Sequence, residues 1–252
     1  MKTHTLGLGI ATLILVSACG GGGGSDSPSD PKAPDNQVTG AYRGKAFVVA
    51  SGSQPGSINE AKNVGSDALA VLNANGKQVA LQIPGVIAGS LTQINGNLNY
   101  NGKSYKLFYA SGTNYRNSKF GYINDGNEDY IFSQGLPTAN MPSSGSVRYA
   151  GIAVLGKGGA VGPAPANFTA DFGQKTLSAD ITPLQNSRVA FNPIKFNATI
   201  NGNSFSTKSD AAVRSTGSFY GDNARELGGI FQDSTQTLSG SFGAVRTSTS
   251  SD

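Results

Sequence analysis

The chain has 252 residues, a formal net charge of +4, one histidine, one cysteine, 35 glycines and no tryptophan. That charge is too small to argue a nucleic-acid partner. His4 and Cys19 both precede residue 20, so the rest of the chain holds no Ser-His-Asp, Cys-His or zinc-hydrolase constellation and no thiol for a disulfide.

Met1-Lys2 opens the chain with a positive charge, and Thr5 to Ala18 is an uncharged, mostly apolar run of 14 residues. A membrane span needs about 20, so residues 1–18 read as a signal peptide. The run closes on Val16-Ser17-Ala18-Cys19-Gly20, and small residues before a lone cysteine are similar to a bacterial lipobox. The expectation is an acylated Cys19, cleavage before it, and membrane attachment through that lipid alone. Glycine rather than aspartate at position 20 favours transfer to an outer membrane. Residues 19–37, with five consecutive glycines from Gly20 to Gly24, read as a flexible tether. Such a segment reaches roughly 20–25 Å and leaves the folded part free to meet a bulky partner.

From residue 38 onward the signal is all-β, because apolar residues recur at period 2 between Asn-Gly, Asp-Gly and Gly-Asn turns. In the first part, residues 38–135, strands are expected over Thr39 to Ala50, in the hairpin Leu69–Leu72 with Gln78–Ile83, in Asn97–Tyr100 with Tyr105–Tyr109, and in Lys119–Ile123 with Tyr130–Phe132. A short helical turn is expected within Ser57 to Ala70. Residues 136–145, with two prolines and no periodicity, read as a linker.

The second part, residues 146–246, alternates more cleanly. Eight strands are expected near 146–155, 166–172, 176–182, 194–200, 203–208, 211–220, 225–232 and 237–246, each with one apolar and one polar face. Eight antiparallel strands joined by short connections fit an up-and-down barrel closed on its own side chains, with a water-facing exterior of Lys, Asn, Thr, Ser and Asp. Gly156 to Pro165 reads as a mobile glycine-rich connection, and residues 247–252 as a disordered tail.

One long motif runs Gly217-Ser218-Phe219-Tyr220-Gly221-Asp222-Asn223-Ala224-Arg225-Glu226-Leu227-Gly228-Gly229-Ile230-Phe231, and the chain closes on Phe242-Gly243-Ala244-Val245-Arg246. It resembles the closing strands of the barrel domains of transferrin-binding protein B, with Asp222 where the family has proline and Val245 where it has lysine. Met141-Pro142-Ser143-Ser144-Gly145-Ser146-Val147-Arg148-Tyr149-Ala150-Gly151 resembles the start of that barrel. Phe168-Thr169-Ala170-Asp171-Phe172-Gly173 resembles its second strand, as it does in factor H-binding protein. On the residues alone, Phe219 and Leu227 fill the barrel, Gly221 and Asn223 permit a tight turn, Gly228 and Gly229 permit strand coiling at closure, and Glu226 beside Arg225 binds turn amides.

The resemblance implies a lipoprotein displayed on a Gram-negative outer membrane, with a handle-like β subdomain ahead of the barrel. It also implies a host ligand, in iron or haem-iron acquisition or, alternatively, a complement regulator such as factor H. A surface-lipoprotein translocator and a TonB-dependent receptor are the implied bacterial partners. Two other readings stay open: a haem-binding protein, and an envelope structural lipoprotein with bacterial partners only. Fold does not choose among these.

No enzyme is expected. Asp125, Glu128 and Asp129 read as a hairpin turn rather than a calcium loop, because they lack alternating oxygen ligands, and no metal or cofactor is assigned. Haem is disfavoured by the lack of histidine after position 4, although Tyr105, Tyr109, Tyr115, Tyr122 and Tyr130 offer phenols. The expected contact surface is Tyr105 to Tyr122, which holds six aromatics and no acid. Tyr115 and Arg116 are placed at an exposed loop tip, with Tyr105, Lys106 and Lys119 as further contacts.

Overall fold

Sixteen strands and one 3-10 turn build the computed structural model of this chain, which describes residues 39–52 and 60–247. The expected signal peptide, Cys19 and the expected tether, with residues 53–59 and 248–252, lie outside the described residues. Eight strands precede the barrel: β1 (Tyr42–Ala50), β2 (Lys62–Ser66), β3 (Val71–Ala74), β4 (Lys77–Ala80), β5 (Leu91–Tyr100), β6 (Lys103–Ser111), β7 (Ser118–Asn124) and β8 (Glu128–Gly135). Six form an antiparallel sheet in the order β2-β1-β8-β7-β6-β5, and β3 pairs with β4 in a separate hairpin. That hairpin lays Leu72, Val79, Leu81 and Ile83 on one face of the sheet, against Tyr105, Phe108, Tyr130 and Phe132.

Within 57–70 the described part is strand and turn, not helix. Lys62 to Ser66 pairs antiparallel with Ala46 to Tyr42 along an otherwise open edge, and burying Val64 there outweighs the weak helical preference of Asn63 and Gly65.

The second part is a closed barrel of β9 (Ser146–Lys157), β10 (Ala160–Asp171), β11 (Thr176–Ile181), β12 (Ile194–Asn201), β13 (Ser204–Ser206), β14 (Val213–Tyr220), β15 (Glu226–Asp233) and β16 (Leu238–Arg246). Closure comes from β16 pairing with β9, Phe242 opposite Ala153. On β12, Ile194, Phe196, Ala198 and Ile200 are buried while Lys195, Asn197, Thr199 and Asn201 are exposed, which is the alternation that sets register in a one-sided strand. Phe242 sits at the hub of the interior. Its ring lies 4.8 Å from Phe168, 6.1 Å from Phe196, 6.2 Å from Phe205 and 6.2 Å from Phe231, which ties β16 to four other strands.

Two expected loops are ordered. The glycine-rich stretch 156–165 is a continuous hairpin in which Gly158 and Gly159 take φ of 56° and 83° and all residues from Ala160 onward pair with β9. Positive φ at both central residues is what a two-residue hairpin turn requires. Pro163 and Pro165 are tolerated because β11 begins pairing with β10 only at Ala166, so their missing N–H groups face an open edge. The expected linker 136–145 is stitched to the barrel: Pro137 bridges Tyr220, Thr138 N donates to Phe219 O, and Thr138 Oγ1 donates to Gly221 O at 2.7 Å.

The six-stranded sheet packs on the outside of the barrel at β15, β16 and β9, and both belong to one compact unit. All eight residues of β15 are buried, and so are the first seven of β16. Their inward residues face the barrel core, and their outward residues face the sheet. Ile230 packs with Phe47 and Ile131, and Val154 packs with Tyr109 and Phe120. Ser241 Oγ donates to Gly121 O at 2.9 Å across the seam.

Candidate functional site

The seam explains the long motif better than barrel filling alone. Gly229 lies under the Phe242 ring inside the barrel, but Gly228 faces the sheet, where an added Cβ would lie 2.5 Å from Ser133 Oγ. A Cβ on Gly156 would meet Tyr122 at 2.7 Å, one on Gly221 would meet Asn117 at 2.6 Å, and one on Gly243 would overlap the Phe120 ring. These glycines let the sheet come close to the barrel backbone, which is the positional meaning of a strand glycine.

Glu226 does not serve its own turn. Its carboxylate, 1% exposed, accepts from Arg116 N at 3.0 Å, Asn117 N at 3.1 Å, Asn117 Nδ2 at 3.0 Å and Ser118 Oγ at 2.7 Å. A barrel strand thereby fixes the start of β7, across 108 to 110 residues of sequence. Charge-assisted bonds of this kind are the strong ones.

Lys119 holds the same loop from the other side. Its buried ammonium donates to Ser111 O at 3.0 Å and Gly112 O at 2.9 Å. Burial pushes its pKa down, opposed by the charge of Glu226. Lys119 therefore orders the loop and is not a contact residue.

The expected loop tip is different from its prediction. Tyr115 is 5% exposed and packs edge-on against Phe120 at 4.8 Å, in a cluster with Val154 and Val161 of the barrel. The ring is drawn inward because apolar neighbours from β9 and β10, invisible in the local sequence, surround it. Arg116 remains exposed. Tyr105 is 2% exposed, in the core under the hairpin. Lys106 is exposed, with its side chain near Gly126 in the turn between β7 and β8. Tyr105 and Lys106 thus lie toward the opposite end of the sheet from Arg116, roughly 20 Å along β6 at strand rise.

The 124–129 turn is built by its own side chains: Asp125 Oδ1 accepts from Asn127 N and Glu128 N, and Asn124 Oδ1 accepts from Gly126 N. Glu128 also accepts from Lys77 at 2.8 Å and Tyr130 at 2.7 Å, and the Lys77 bond holds its carboxyl below the ordinary range. The turn clasps the β3–β4 hairpin.

Four of the five tyrosines that offer phenols have partners: Tyr105 with the Ala80 backbone, Tyr115 with the Ile152 backbone, Tyr122 with Asp129 and Tyr130 with Asp125 and Glu128. Burial pushes the Tyr115 phenol up to about 12 and raises those of Tyr105, Tyr122 and Tyr130.

What the structure presents outward at this end is the loop 84–90, which the sequence reading passed over. Thr113 N donates to Ala88 O, Asn114 N to Gly89 O and Gly112 N to Ser90 O, at 2.8, 2.8 and 2.9 Å. Pinned this way, the loop holds Ile87 at 87% exposure and Val86 at 39%. An apolar pair enclosed by Pro84-Gly85 and Gly89, outside any alternating run, was the available signal. Behind it, between loop 112–116 and the barrel wall, lies an open cleft of about 870 Å³.

Residues 141–246 match the family of C-lobe and N-lobe β-barrels of transferrin-binding protein B. An uncharacterized protein of Haemophilus influenzae is 29% identical over 224 residues, covering 81% of this chain and 75% of that protein. Transferrin-binding protein B of Moraxella catarrhalis is 29% identical over 174 residues, which is 55% of this chain and 24% of that one. Among solved structures, a variant of transferrin-binding protein B from Haemophilus parasuis superposes with a TM-score of 0.56 at 26% identity, over 81% of this chain and 44% of that one. The Neisseria meningitidis protein gives a TM-score of 0.56 at 22% identity, over 81% and 43%. This chain thus spans about a quarter of the Moraxella protein and under half of those solved chains. Residues 141–246 form a closed eight-stranded barrel that is similar to the C-lobe and N-lobe barrels of transferrin-binding protein B.

Proposed function

We propose that this chain is a lipid-anchored, surface-exposed binding protein that captures a host macromolecule and does no catalysis. The likeness to transferrin-binding protein B supports a protein ligand, and the lipobox at Cys19 supports an outer-membrane position. The observation that carries the reading is Ile87, almost fully exposed on a loop fixed by backbone bonds. Ile87 and the neighbouring Val86 form a small apolar pair on an ordered loop, a shape that suits an anchor filling a partner's pocket. Iron or haem-iron acquisition is the role we assign, with a translocator and a TonB-dependent receptor as bacterial partners.

The test is capture from human serum and haemolysate by the purified chain. Transferrin or haemoglobin is the expected catch, and Ile87→Asp should weaken it about tenfold or more. Capture of a complement regulator would reassign the ligand, and no capture from either fluid would refute the reading. We propose no haem site in this chain: haemin is expected to leave its absorption spectrum unperturbed, and a Soret shift would refute that.

A further inference from the structure

Three of the chain's seven arginines lie on one face of the molecule. Arg116 and Arg225 line the cleft between loop 112–116 and the barrel. Arg148 is exposed on the outward face of β9 two residues before Ala150, which also lines it. Arg246 N donates to Arg225 O, but its side chain shares the inward parity of Ala244 and lies off the cleft. Among the described residues the ion pairs join Lys77 to Asp125 and Glu128, and Lys195 to Asp180, so none of these arginines is neutralised by one. The acid in the cleft wall, Glu226, is buried and committed to the donors of residues 116–118. Asp222, whose backbone carbonyl accepts from Arg225 N, is exposed and does not line the cleft.

The remaining lining is mixed. Ser90 and Asn114 offer polar groups on the loop side, while Ile152 and Val245, half-buried, form an apolar strip on the barrel side. Guanidinium forks match carboxylates in a bidentate way that lysine does not. A cleft with arginines above an apolar strip is complementary to a short peptide segment that carries carboxylates on either side of an apolar residue.

We propose that this cleft docks an acidic, apolar-centred segment of the partner protein. The proposal rests on the binding role given above and extends it from the Ile87 loop to a second, electrostatic contact. Because Ser90 and Asn114 belong to the two loops that hold Ile87 in place, one partner reaches both.

The probe is a labelled peptide, Glu-Glu-Leu-Glu-Glu, titrated against the purified chain by fluorescence anisotropy, with Lys-Lys-Leu-Lys-Lys as the opposite-charge control. The acidic peptide should bind, more weakly as salt is raised, and the Arg116→Ala, Arg225→Ala double variant should weaken it about tenfold. Arg188→Ala, distant from the cleft, should leave it unchanged. Reversing the pair (Arg116→Glu with Arg225→Glu) should transfer binding to the basic peptide, and circular dichroism on each variant should match the parent. Absence of binding, binding indifferent to the double variant, or preference for a sulfated oligosaccharide over the peptide with the same arginine dependence would overturn the proposal. If serum capture persists while the peptide fails, the cleft alone is wrong. If the peptide binds and capture fails, the host-ligand reading is wrong.

Discussion

Replacing Glu226 by Ala is expected to destabilise the fold by about 3–4 kcal/mol, or roughly 10 °C in melting temperature for a domain of this size. The reason is not a lost contact within the barrel. The carboxylate accepts from four donors of Arg116, Asn117 and Ser118, with Asn117 N shared between its two oxygens, and its removal leaves two backbone N–H groups, an amide and a hydroxyl without their acceptor at the seam. Buried donors stripped of an acceptor cost more than the average hydrogen bond is worth. Glu226→Gln keeps the shape and one strong acceptor, and should recover more than half of the loss. Chemical denaturation of the three proteins measures this. Equal stability of the Ala variant and the parent would show that the seam does not depend on this residue.

Gly243→Val should be comparably severe, about 3 kcal/mol, by the opposite mechanism of overpacking. The new Cβ would overlap Phe120, a ring with no exposed surface that already leans on Tyr115 at 4.8 Å. Phe120 cannot retreat without lifting β7 off the barrel. The control is Gly162→Ala, where the nearest atom to an added Cβ is Val189 Cγ2 at 3.6 Å, so stability should change by less than about 1 kcal/mol. Loss of sheet docking with the barrel still folded would appear as two separate unfolding transitions. Matched single transitions for Gly243→Val and Gly162→Ala would contradict the seam as described.

These two positions also show where sequence reading succeeds and where it stops. The barrel was legible because each strand has one wet and one dry face, so β12 announces itself by Ile194, Phe196, Ala198 and Ile200 alone. The inward set of β15 and β16 was legible for the same reason. Their outward set was not: Gly228, Ile230, Ser241 and Gly243 read as a mixed exterior, and only the sheet lying on them reveals that they are buried. Glu226 sits beside Arg225 in sequence, and its true donors come from residues 116–118.

The contact surface failed on the same ground. Tyr115 looks like a loop anchor when seen among Asn114, Arg116 and Asn117, yet its apolar neighbours Val154 and Val161 arrive from the barrel. Aromatic content marked the interior of the sheet rather than its outside. Ile87 was missed because exposure of an aliphatic side chain has no local sequence signature beyond the Pro-Gly and Gly that frame its loop. Arg116 alone of the expected pair lies where a partner can reach it.

Hydrogen exchange on the full chain, with and without the serum protein it captures, tests the central claim most directly. The account predicts slowed exchange over 84–90 and 112–117, at the loop that carries Ile87 and the wall that carries Arg116. Slowed exchange confined to the far barrel rim, at 157–160, 183–193 and 234–237, would contradict it.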